Sequence, residues 1–71
     1  MMPLSMVNQG EPHIVSRVGG KEETKRFLES LGFVNGSTVT VVSSANGNLI
    51  VHVKDSRIAI GRDMANKVMV N

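Results

Sequence analysis

Residues 38–54 read T-V-T-V-V-S-S-A-N-G-N-L-I-V-H-V-K, and this stretch decides the fold. Val39 and Val41 recur every second residue. Beyond Asn46-Gly47 the same period carries Leu49, Val51 and Val53, with Ile50, His52 and Lys54 on the other side. A period of two sends alternate side chains to opposite faces of an extended chain, so the spacing predicts two half-buried strands. Asn-Gly suits the positive φ that a type I′ turn requires at both central positions, which joins these strands as a tight hairpin. A second turn is expected at Asp55-Ser56. It returns the chain into Arg57–Ile60, where Ile58 and Ile60 alternate with Arg57 and Ala59, and the result is a three-strand meander.

Outward from the meander, Glu11–Val18 carries Ile14, Val15 and Val18, begins beside Pro12 and stops at Gly19-Gly20, as a further strand would. Downstream, Arg62-Asp63-Met64-Ala65 suggests a short helical turn near residues 62–66, and Val68-Met69-Val70 a short last strand. About five strands result. Only residues 21–31 show helical period: Thr24, Phe27, Leu28 and Leu31 share one side, and Glu22, Lys25, Arg26 and Glu29 the other. Glu22 and Glu23 suit the positive end of the helix dipole. Gly32 supplies the left-handed residue that ends the helix, and Phe33 is placed to pack back on Leu28. Asn35-Gly36 then turns the chain into the meander.

Composition bounds the rest. Seventy-one residues allow one domain, 1–71, with residues 1–3 expected to fray. There is no cysteine, so disulfides, thiolate metal sites and thiol catalysis are excluded together. Eleven valines and four isoleucines favour strands, because β-branched side chains are stiff at χ1. One helix cannot cover a flat five-strand sheet. The expected fold is therefore mainly β, a small SH3-like barrel with one inserted helix at about 21–31, an OB-fold barrel being the rival. A formal charge of +2 and two aromatic residues, Phe27 and Phe33, argue against a polyphosphate-binding face and a base-stacking platform. No apolar run is long enough to span a membrane, and Met1–Val7 lacks the charged and apolar regions of a signal peptide, so a cytosolic setting is expected.

Candidate chemistry is sparse. Glu22 and Glu23 are neighbours on a helix, about 100° apart, and cannot flank one bond as an acid and base. His13 and His52 are the only imidazoles, fewer than the three or four convergent ligands of a selective metal site. Gly19-Gly20-Lys21 lacks the first glycine of a phosphate loop and has Glu22 where a hydroxyl is needed. Met6, Met64 and Met69 are scattered and read as core filler. Neither catalysis nor a bound cofactor or metal is expected.

The order of punctuation is more distinctive: Arg26-x-Leu28-x-x-Leu31-Gly32-Phe33-x-x-Gly36-x-x-Val39, then Ile58-Ala59-Ile60-x-Arg62-x-x-Ala65-x-x-Val68-x-Val70, preceded by Leu4, Val7, Gly10 and Glu11. This pattern resembles the ferrous iron transport protein A (FeoA) family over about Leu4 to Val70. Asn35 departs from the proline the family often has before Gly36, and Gly61 from a bulkier or basic residue. The resemblance implies an SH3-like barrel that works in the cytosol beside a membrane ferrous iron transporter with a GTP-binding domain, peripheral to the inner membrane through that partner.

Two functions therefore compete. One is an accessory protein of ferrous iron uptake that docks on the transporter's GTP-binding domain, and the alternative is a small nucleic-acid-binding SH3-like or OB-like barrel. For docking, the wet helix face at Lys25, Arg26 and Glu29 and the following turn at Val34 and Asn35 form the candidate surface, since the opposite helix face is needed to cover the barrel.

Overall fold

The computed structural model describes every residue from Met1 to Asn71. Strand β1 (Met2–Pro3) leads through a 3-10 turn (Leu4–Met6) to β2 (Pro12–Val18) and helix α1 (Glu22–Ser30). The meander follows as β3 (Thr38–Ala45), β4 (Asn48–Val53) and β5 (Ser56–Gly61), and α2 (Arg62–Ala65) and β6 (Val68–Val70) close the chain. The six strands make one antiparallel sheet in the order β1-β6-β2-β3-β4-β5. A flat sheet would be thin along one axis. The extents of 28 × 24 × 23 Å are nearly equal, so the sheet curls around its own core.

That core is a single cluster of 14 apolar side chains with no buried polar or charged residue. Val39 and Val41 from β3 and Leu49, Val51 and Val53 from β4 all point into it, as their alternation requires. Strand β2 contributes Val15 and Val18, which are three residues apart and in a regular strand would face opposite ways. A bulge between Val15 and Arg17 inserts the extra residue that turns both inward and leaves Ile14 exposed. Helix α1 ends in a Schellman motif. The Phe33 N–H donates to Leu28 O at 3.1 Å, the Gly32 N–H donates to Glu29 O at 3.0 Å, and Gly32 has φ +112°. Phe33 is fully buried beside Leu28 in the core.

Five expectations need correction. There are six strands, not about five, and the sixth lies where fraying was expected: Met2 and Pro3 pair with Val70 and Met69, and Leu4 behind them is fully buried. The second hairpin turns at Lys54-Asp55, not Asp55-Ser56, because Val53 pairs with Ser56 and Leu49 with Ile60. Turning one residue later would set Arg62 opposite the inward-facing Leu49, which would bury an unpaired charge. Phe27 is half exposed, since the buried stripe of α1 narrows to Leu28 flanked by the half-buried Thr24 and Leu31. Finally, Met6 is exposed and fills no core space.

Candidate functional site

Helix α1 covers the core with Leu28 beside the half-buried Thr24 and turns its other side chains to solvent. Its start is fixed from outside: the Gly19 N–H donates to Lys67 O at 2.7 Å, which pins the loop before α1 to the segment that enters β6. Gly20 has φ +98°, and a Cβ there would lie 3.0 Å from Lys67 Cδ, so the close approach at this corner needs glycine. Between this loop, β2 and the helix flank runs an open groove of about 450 Å³, bordered by Ser16, Arg17, Lys25, Glu29 and Asn35.

The structure thus brings together three of the five candidate residues. Lys25 and Glu29, one helical turn apart, form one wall of the groove, and Asn35 closes its end. Arg26 stays outside on the crest of the helix, 3.7 Å from Glu22 in an exposed pair. Val34 is half-buried in the turn after the helix, where its N–H donates to Gly32 O and its carbonyl accepts from the Ser37 N–H, both at 2.9 Å. It lies outside the groove.

Two contributors escape a reading of the sequence. Arg17 faces the groove because the β2 bulge resets the strand's alternation, and no local residue pattern marks that bulge. Phe27 is exposed beside Arg26, and only a narrower estimate of the helix's buried stripe would have placed it there. With Phe33 fully buried, Phe27 is the one aromatic ring at the surface, too little for a stacking platform.

The groove's chemistry is that of recognition. Two cations and one carboxylate flank hydroxyl and amide groups, and neither histidine lines it. No three His, Asp or Glu residues come close enough anywhere in the chain to hold a metal ion together. His13 lies on β2, where Nδ1 is 2.7 Å from the carbonyl oxygen of Asn71 and Nε2 is 3.7 Å from Glu11 Oε1. It ties β2 to the end of the chain. No helix is long and apolar enough to cross a membrane.

Comparison with known proteins bears on this arrangement. The FeoA domain family matches residues 2–71. A Methanocaldococcus jannaschii protein provisionally named Fe(2+) transport protein A is 39% identical over 70 residues, which cover 99% of this chain and 85% of that protein. The fold superimposes on a crystal structure of an iron uptake regulatory protein, FeoA, with a TM-score of 0.90 and 36% identity over 99% of this chain and 93% of that one. It also superimposes on zinc-complexed Stenotrophomonas maltophilia FeoA, described as an SH3 domain protein, with a TM-score of 0.88 and 28% identity over 100% of this chain and 91% of that one. The SH3-like architecture expected from the strand pattern is therefore the one observed, and the chain belongs to the FeoA domain family.

Proposed function

We propose that this chain is a non-enzymatic, cytosolic accessory protein of ferrous iron uptake that docks on the GTP-binding domain of a membrane ferrous iron transporter through the α1 groove. Family membership supports the iron-uptake role, as does the Fe(2+) transport protein A name of the archaeal relative. The observation that carries the docking surface is the convergence of Lys25, Glu29 and Asn35 with Arg17 on one open groove whose walls are held by backbone hydrogen bonds. Mixed charges on a fixed frame select partner and orientation more than they add raw affinity. The half-exposed ring of Phe27 offers an apolar anchor on the adjoining flank, the kind of residue that dominates interface energetics.

Replacing Lys25 and Arg26 together by Glu tests the reading. Both side chains are exposed, so the melting temperature should hold. Binding to the isolated GTP-binding domain should weaken by roughly fivefold at low salt and by less at high salt, in keeping with about 1 kcal/mol for two rim charges. Unchanged affinity at low salt would place the interface elsewhere.

A further inference from the structure

A second concave surface lies on the outer face of the meander, away from the groove. It is an open basin of about 460 Å³ lined by Ser37, Thr38, Thr40, His52, Lys54 and Asp55, with no apolar side chain among them. The register shows how it forms. Thr40 pairs with His52 and His52 with Arg57, so these three stand side by side across β3, β4 and β5 on the solvent face. Thr38 is two residues from Thr40 and shares that face. None of the basin's side chains, nor Arg57, has a hydrogen-bond or ion-pair partner within the protein.

The turn at the basin's rim is strained. Lys54 has φ +49°, a region that L-residues other than asparagine and aspartate seldom occupy, whereas Asp55 at φ +62° is of a type that tolerates it. Strain of this kind persists where surrounding structure holds it, and it clusters at ligand clamps. Here the hold is visible: a Cβ built on Gly32 would come within 3.2 Å of Lys54 Cγ, so the stem of Lys54 lies directly over the end of α1. The stem packs on Gly32, and the same residue lines the basin.

We propose that this basin is an anion site that takes a phosphate-type tetrahedral oxyanion, held by Lys54 and by the Thr38 and Thr40 hydroxyls of its lining, with Arg57 reaching in from the flanking strand β5. Lys54 in the lining and Arg57 just outside it, cross-strand from His52, set two cations against the single carboxylate of Asp55, a balance that favours a negative ligand. The wholly polar lining excludes an apolar ligand. A carboxylate presents two oxygens to one side, whereas a tetrahedral oxyanion can accept from hydroxyls beneath it and from cations on two strands at once. The site is separate from the α1 groove and does not depend on the docking proposal.

The test is an NMR titration of the whole 71-residue chain with inorganic phosphate, against chloride at matched ionic strength. The expected result is saturable shifts at Thr38, Thr40, His52, Lys54, Asp55 and Arg57. Lys54→Asn, which relieves the backbone strain while removing the charge, and Arg57→Gln should each weaken binding by about tenfold, the worth of one charge-assisted hydrogen bond. Asp55→Asn should tighten it, and Lys25→Gln in the groove should leave it unchanged. A nucleoside monophosphate serves as a second ligand: equal affinity assigns free phosphate, and tighter binding assigns a phosphate ester. Shifts that do not saturate, that centre on Arg17 and Lys25, or that persist in both Lys54→Asn and Arg57→Gln would overturn the proposal.

Discussion

The molecule contains two hairpin turns of the same length, and they differ most at their first residue, asparagine in one and lysine in the other. Asn46-Gly47 joins β3 to β4 between the paired residues Ala45 and Asn48, and Lys54-Asp55 joins β4 to β5 between Val53 and Ser56. All four turn residues have positive φ. The first turn uses the residues that adopt this conformation most readily, and a Cβ added at Gly47 would meet nothing within 4 Å. The second opens on a lysine, which adopts it reluctantly, follows it with an aspartate, which tolerates it, and lays the lysine over Gly32. The first turn is closed by local preference. The second is imposed by register and held by tertiary contact, and it borders a basin of unpartnered polar groups.

The largest effect is expected where the second turn meets the helix. Gly32→Ala forces a side chain into φ +112° and to within 3.2 Å of Lys54 Cγ and 3.3 Å of Val53 Cγ2, so strain and overpacking add. A loss of about 3 kcal/mol in denaturant unfolding is expected. A loss below about 1 kcal/mol would mean that Lys54 is not held as described. Next comes Gly47→Val in the first turn, where the surrounding space is open and only the backbone resists. It should cost about 2 kcal/mol, or roughly 8–16 °C in melting temperature for a domain of this size.

Converting the second turn into a copy of the first, with Lys54→Asn and Asp55→Gly together, should instead stabilise the domain by about 0.5–1 kcal/mol in the same assay. A loss would show that the packing of the Lys54 stem on Gly32 outweighs the backbone strain. The smallest effect belongs to Arg26→Ala, which removes an exposed pair one helical turn long and should change stability by only about 0.3 kcal/mol.

The same contrast explains what could be read from the sequence. Asn46-Gly47 and the Gly32-Phe33 helix stop are legible because each is decided within a few residues by backbone preference. So are the inward faces of β3 and β4, whose alternation is unbroken from Val39 to Val41 and from Leu49 to Val53. Strand β1, the β2 bulge and the Lys54-Asp55 turn are set by partners far along the chain: Met2 meets Val70, Arg17 meets Met69, and Leu49 holds Ile60 in register. No local pattern encodes those pairings. The candidate site divides in the same way. Lys25 and Glu29 follow from helical period, whereas Arg17 reaches the groove through a bulge that becomes apparent only once β2 is paired with β6.

The docking claim is tested most directly by mapping. Titrating the labelled chain with the soluble GTP-binding domain of a ferrous iron transporter should perturb the amides of Arg17, Lys25, Glu29 and Asn35, with Phe27 on the adjoining flank. It should leave Asn46 and Gly47 at the far hairpin tip unmoved. A titration that perturbs no resonance, or one whose shifts gather on the β3–β4 basin around Thr40 and Lys54 while the α1 groove stays silent, would contradict it.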